Sequence, residues 1–177
     1  SILTGYGLDE NDSPLEIIKK RIKNSVFDFC EPGFTVSAFS NRLSNYDELP
    51  ISHVIIELGA NDFLLGNDSE NCKKKFLKVI NYFEKKGISI CLISFIDDTM
   101  FEYSDYCNVE LLHQYEDMYK ELQGENVLLI TNIWKNNFSD ENYKIDFFHP
   151  NKIGAAIIAN KIFSEIEKTD FLHSCSR

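Results

Sequence analysis

The chain predicts one α/β domain spanning residues 1–177, with a flavodoxin-like parallel sheet between helical layers in a three-layer αβα sandwich. Three observations predict it. Short apolar runs rich in β-branched residues alternate with longer amphipathic segments. The runs at 53–58, 88–95 and 127–130 are too continuously apolar for a strand wetted on one face, so they predict strands buried on both sides. No repeat, low-complexity tract or linker divides the chain.

Asp12-Ser13-Pro14-Leu15-Glu16 opens the first helix. It has a capping serine, proline at the first helical position and Glu where a capping box wants it. Leu15, Ile18, Ile22 and Val26 follow at helical spacing and predict a helix reaching Val26. Pro32-Gly33 predicts a turn and 34–39 a strand. The polar stretch 40–50 predicts a loop with a short helical turn. His53-Val54-Ile55-Ile56-Glu57-Leu58 predicts a strand that ends at Gly59. A long amphipathic helix over 67–86 carries Phe76, Val79, Ile80 and Phe83 on one face, and Gly87 stops it. After the strand at 88–95 come a helix over 109–122 and a strand at 127–130. Pro150 opens a last helix with Ile153, Ile157, Ile158 and Ile162 on its apolar side.

Composition excludes several classes. The formal net charge is -10, the wrong sign for a phosphate-neutralising face, so no nucleic-acid partner is expected. The basic runs Lys19-Lys20-Arg21 and Lys73-Lys74-Lys75 fall on predicted helices beside acids and read as solvated faces. No window approaches the roughly 20 apolar residues of a membrane span, and no secretory signal is visible. Cys30, Cys72, Cys91, Cys107 and Cys175 are spaced unlike a zinc site and are expected as thiols without a catalytic role, Cys91 within the core. No metal and no organic cofactor is expected.

In parallel sheets, ligands bind beyond the carboxyl ends of the strands. Gly59-Ala60-Asn61-Asp62 stands at such an end. Its glycine permits a sharp turn, and the Asn61 amide can aim a donor at a developing oxyanion. The bland alternative is an ordinary strand-to-loop turn. Asp146-Phe147-Phe148-His149-Pro150 puts an acid three residues before a histidine at the mouth of a helix. Asp146 is placed to orient His149, whose other nitrogen takes a proton from a nucleophile. The bland alternative is a surface acid beside a structural histidine. The chain begins Ser1-Ile2-Leu3-Thr4-Gly5-Tyr6-Gly7-Leu8.

Taken in order, the three segments resemble the SGNH, or GDSL, hydrolase superfamily, closest to its bacterial acyl-thioesterase, lysophospholipase and arylesterase branch. Residues 1–8 are similar to the run that follows the family's Gly-Asp-Ser-Leu motif, with Ser1 in the nucleophile's place. Gly59-Ala60-Asn61-Asp62 resembles its Gly-x-Asn-Asp motif, and Asp146 to His149 its Asp-x-x-His motif with the trailing proline. The family's second motif carries a glycine whose backbone N–H helps bind the oxyanion. Within 37–43 no glycine occurs, and Asn41 is the positional match.

The resemblance implies a serine hydrolase that cleaves carboxylic esters or thioesters. Ser1, His149 and Asp146 form the triad, and the Ser1 N–H, the Asn41 N–H and the Asn61 side chain form the oxyanion hole. Gly59, Phe63 and Phe148 are expected against the substrate, with Leu64, Leu65 and Phe147 extending an apolar wall; for Leu64 and Phe147 a place in the core is an equal alternative. Short connections near the motifs predict an open cleft for short to medium acyl groups. The resemblance further implies a central strand ending at the nucleophile. About eight to ten residues ahead of Ser1 are therefore expected to pair between strands at 34–39 and 53–58. Two rivals stand beside this reading: a non-catalytic ligand-binding module of the same fold, and a flavodoxin-like mononucleotide binder, for which no phosphate-binding glycine loop is seen.

Overall fold

The computed structural model describes residues 2–96, 108–134, 143–146 and 148–172. Three parallel strands form its sheet: β1 (His53–Glu57), β2 (Ser89–Ile93) and β3 (Val127–Ile130), in the spatial order β1-β2-β3. In register, His53 faces Ser89 and Glu57 faces Ile93, while Ile90 faces Val127 and Ile93 faces Ile130. Ile90, Cys91, Leu92 and Ile93 are all buried, so the central strand is covered on both faces as its unbroken apolar run predicts.

Helices supply that cover. α4 (Ser69–Glu84) and α5 (Val109–Leu122) pack against each other, α4 against β2 and α5 against β3. Phe76, Val79, Ile80 and Phe83 are the buried stripe of α4, and Gly87 turns the chain at φ +69°. α1 (Pro14–Lys19) packs on α6 (Lys152–Glu167) as a second pair. The predicted three-layer arrangement of a parallel sheet flanked by helices is therefore the observed one. Among the described residues, no helix is long and apolar enough to cross a membrane.

α1 begins as its sequence requires: Ser13 Oγ accepts from the Glu16 N–H at 3.1 Å with Pro14 in the first turn. It stops at Lys19, so Ile22 and Val26 are not on its face. Past its end the Arg21 guanidinium lies over the Phe163 ring of α6 at 5.4 Å, and the Asn24-Ser25 pair beyond favours turns over helix.

The strand expected at 34–39 is a helix instead. Thr35 Oγ1 caps α2 (Val36–Ser40) by accepting from Ala38 N–H, and the Asp62 carboxylate accepts from Val36 N–H at 2.9 Å. Two acceptors at one helix N-terminus outweigh the β-forming bias of Phe34 to Val36. The residues after Gly59 are also helical, as α3 (Ala60–Leu64), where the sequence suggested only a turn. On α6, Ile158, Ile162 and Ile166 are buried, but Ile153 is 58% exposed in the first turn.

The edge of β1 away from β2 pairs with no strand among the described residues. It borders a cavity of about 510 Å³, whose walls include Val54, Ile56 and Glu57 on one side and Val26, Asp28 and Cys30 on the other. The strand expected there from residues ahead of Ser1 lies outside the described residues, and its expected neighbour at 34–39 does not exist as a strand.

The α4–α5 seam sets the first prediction. Phe76 is fully buried with its ring 5.6 Å from that of Tyr119. Phe76→Ala should destabilise the domain by about 3–5 kcal/mol, read as a lowered urea midpoint at unchanged slope.

Candidate active site

The carboxyl end of β1 builds one half of the site. Gly59 at φ +100° turns the chain, a left-handed conformation that side chains disfavour, and the turn feeds directly into α3. Asn61 then stands one residue into the helix. Its amide Nδ2 donates to the Phe34 carbonyl at 3.0 Å. An amide nitrogen carries two hydrogens, so this bond orients the group and leaves one N–H to donate elsewhere. Asp62, 3% exposed, reaches the same segment through Val36 N–H and also accepts from Asn67 Nδ2 at 3.4 Å. Burial pushes its carboxyl pKa up, against the opposing pull of the Val36 and Asn67 donors. Adjacent side chains of α3 thus clamp residues 34–36, which lead into α2.

The other half is the loop before α6. Lys144 and Pro150 form an antiparallel bridge, Ile145 N–H donates to His149 C=O at 2.9 Å, and Asn151 N–H donates to Tyr143 C=O at 2.8 Å. Asp146 organises the interior of this loop. One carboxylate oxygen accepts from the backbone N–H groups of Phe148 (2.7 Å) and His149 (2.6 Å); the other lies 2.8 Å from His149 Nδ1. Burial acts to raise the Asp146 pKa, but the His149 backbone and ring and the Phe148 N–H outweigh it and hold the carboxyl below its ordinary value. The Tyr6 ring lies 4.7 Å from the imidazole at 40°, and the Phe148 ring meets it edge-on at 5.6 Å. Asn151 caps α6 through Ile153 and Gly154 N–H, both at 3.0 Å. A Cβ on Gly154 would collide with the Tyr143 carbonyl and the Trp134 ring. Trp134 follows β3 by four residues, so this loop and α3 both lie at the carboxyl ends of the strands.

The site residues expected from the sequence divide into three groups. Asp146 with His149, and Asn61 at the β1 end, have geometry suited to their expected chemistry. Ser1 and Phe147 lie outside the described residues. Asn41, Phe63 and Phe148 are placed differently from expectation. The Asn41 N–H donates to Ser37 C=O at 3.2 Å as the last bond of α2, so it is committed to the helix. Phe63 is buried with its ring 5.7 Å from Tyr115, in the core. Phe148 is buried beneath the imidazole and supports it. The exposed apolar groups nearby are Tyr6, Ile145, Leu64, Leu65 and Ile153.

One residue was missed. Gly33 has φ +76°, and its N–H has no acceptor among the described residues. It immediately precedes Phe34, whose carbonyl holds Asn61. The Pro32-Gly33 pair predicts a turn, as found, and the proximity of its N–H to the Asn61 anchor follows only from the long-range Asn61–Phe34 contact.

No family model matches the chain, and no curated protein matches it in sequence. Solved structures do. TesA superposes with a TM-score of 0.79 at 16% identity, over 95% of this chain and 94% of that one. The fold is that of the SGNH/GDSL hydrolase-fold esterases. The psychrotrophic esterase EstA from Pseudoalteromonas sp. gives a TM-score of 0.74 at 18% identity, covering 94% and 92% of the two chains. A member of the lipolytic protein G-D-S-L family from Veillonella parvula gives 0.72 at 21% identity, covering 96% and 95%.

The carboxylate at 146 makes stability pH-dependent. Its pKa is lowered in the fold, so its contribution is complete above the unfolded value of about 3.9 and is lost as pH falls through the folded value. The stability difference between the wild type and Asp146→Asn should be constant near neutrality and shrink in that acidic window. Urea titrations from neutral to strongly acidic pH measure it; a difference that stays constant throughout would show that the charge contributes nothing.

Proposed function

We propose that this chain is a serine hydrolase acting on carboxylic esters or thioesters of short to medium acyl groups. The observation that carries the reading is the Asp146–His149 pair: a carboxylate fixed by two backbone N–H groups accepts from imidazole Nδ1 at the carboxyl rim of a parallel sheet. That bond selects the tautomer in which Nε2 is the base. The likeness in fold to esterases and lipolytic proteins supports the same reading.

In the proposed mechanism Ser1 is the nucleophile. His149 Nε2 takes its proton as the oxygen attacks the acyl carbonyl, then gives that proton to the leaving alcohol or thiol. A water activated by the same nitrogen releases the acid. Asp146 holds the ring and stabilises the imidazolium that forms. The oxyanion is met by the Ser1 N–H, by the second Asn61 N–H and by Gly33 N–H, which takes the role first expected of Asn41. Free donor geometry at Gly33, and its link through Phe34 to Asn61, support that reassignment. Tyr6, Ile145, Leu64 and Leu65 supply exposed apolar surface for the acyl group.

Turnover of p-nitrophenyl acetate and butyrate tests the reading. His149→Ala should abolish it, and equal turnover by that variant would sink the hydrolase assignment in favour of a binding module. Asn61→Ala should lower kcat by roughly a hundredfold or more with little change in KM, because its amide acts on charge that develops in the transition state. A variant that loses only KM would assign Asn61 to substrate positioning. Across a series from acetyl to palmitoyl esters, kcat/KM should peak at short to medium chains. A steady rise to palmitoyl, with nothing at acetyl, would show a deep acyl tunnel.

A further inference from the structure

Where β1 leaves the ladder, its backbone needs new partners. The last register pair is Glu57 with Ile93, so the carbonyl of Leu58 has no strand opposite it. The hydroxyl of Tyr119, from the middle of α5, donates to that carbonyl. The phenol is almost completely buried and lies directly against the Gly59 turn, where a Cβ would collide with its oxygen. One helical turn earlier on the same face, Tyr115 donates its hydroxyl to the Asn67 carbonyl at 3.0 Å and packs its ring on Phe63. Two buried tyrosines at i and i+4 therefore hold the backbone on both sides of α3, and Asn61 lies between the two anchor points.

We propose that Tyr119 is a positioning residue, which fixes the Leu58–Gly59 turn and through it the direction in which the Asn61 amide points. The two anchors are unequal. Asn61 lies three residues from Leu58, across a single left-handed turn with no side-chain cap, whereas Asn67 lies six residues from it, across helix and turn. An error at Leu58 is carried straight into the first turn of α3; an error at Asn67 reaches α3 through its two bonds to Asp62, which bear on the carboxylate and backbone of that residue and not on the Asn61 amide. The bonds from Asn61 to Phe34 C=O and from Val36 N–H to Asp62 tie the side chains of α3 to the 34–36 segment. The Tyr119 bond acts at a different point, the backbone from which α3 starts, and so sets where those side chains begin. Its phenol stays protonated well into alkaline conditions because burial raises its pKa far above the ordinary value, so the donor persists wherever the enzyme works.

The inference rests on the hydrolase reading for its catalytic consequence, and the tests separate the two. Tyr119→Phe keeps the ring and removes the hydroxyl. It should lower kcat roughly tenfold or more with KM nearly unchanged, as expected for a misdirected transition-state donor. In an Asn61→Ala background the same substitution should have almost no further effect, because the group it directs is gone. Tyr115→Phe, equally buried, should lower the melting temperature yet leave kcat close to wild type. The Asn61 side-chain amide resonance in ¹⁵N–¹H spectra should move in Tyr119→Phe and stay in place in Tyr115→Phe. If Tyr119→Phe does not fold, 3-fluorotyrosine at position 119 alters donor strength at nearly constant size and should move the same resonance. An unmoved resonance, or a kcat loss as large in the Asn61→Ala background as in the wild type, overturns the proposal. A wild type that hydrolyses no ester would remove the hydrolase reading while the resonance comparison still decides the positioning role.

Discussion

The Asp146 carboxylate is the interaction on which the candidate chemistry depends. A histidine is useful as a base only if one tautomer and one ring direction prevail, and an exposed imidazole has neither. Here one oxygen of Asp146 is held by the Phe148 and His149 N–H groups, and the other is presented to Nδ1. The loop therefore fixes its own acid before the acid fixes the base. Tyr6 and Phe148 close around the ring from two directions and restrict rotation about the remaining axis. Behind the loop, the Asn151 cap and the close approach allowed by Gly154 tie it to α6, so a rigid helix carries what would otherwise be an exposed turn.

Much of this was legible in the sequence because its signals are short-ranged. The limits of α5 and β3 match their hydrophobic periods, and the Ser13 and Gly87 punctuation of α1 and α4 behaves as local capping chemistry requires. The Asp146 to Pro150 motif spans five residues, and its hydrogen bonds close within them. What escaped the sequence is long-ranged. The conversion of 34–39 from strand to helix depends on Asp62, twenty-six residues away. The chain past α1 is held to α6 by Arg21, which meets Phe163 and Asn160 far along the sequence. Asn41 looked available because nothing in its neighbourhood shows that its N–H will close α2, while Gly33 looked like a simple turn until Phe34 was seen to hold Asn61. Phe63 was read as substrate wall because it follows the Asn-Asp pair, yet α3 turns it inward onto Tyr115.

The overall charge of the chain and its exposed apolar groups agree with the neutral ester proposed above. The chain carries a formal charge of -10, which opposes the approach of polyanionic substrates through the long-range field. Among the described residues, exposed side chains near the imidazole include Tyr6 and, on the same loop, Ile145, which fits beside Gly7 because that residue has no Cβ. Leu64 and Leu65 leave α3 fully on the surface beside the Asn61 turn. Isolated exposed leucines are common and need no explanation. Apolar groups adjoining both halves of a site that also holds a fixed imidazole are suited to an acyl chain lying across the rim.

The two halves of the site differ in how they are stabilised, and this has a mechanical consequence. The base half is one loop with local hydrogen bonds and a helix cap, and it needs little beyond α6 to keep its form. The proposed oxyanion half is assembled from three separate stretches of chain: the 33–36 turn, the β1 end with α3, and α5. Each is joined to the next by one or two buried polar contacts. Buried polar networks of this kind are stiff when complete and costly when one member is lost. A small local opening that would leave Asp146 and His149 in contact would still separate Phe34 from Asn61, and with them the Gly33 and Asn61 N–H groups that the proposed mechanism brings to one oxygen. Transition-state stabilisation depends on that convergence more than on the presence of either donor alone. The integrity of the α2–α3–α5 junction, more than that of the histidine loop, therefore governs how much of the site's geometry survives a perturbation of the fold.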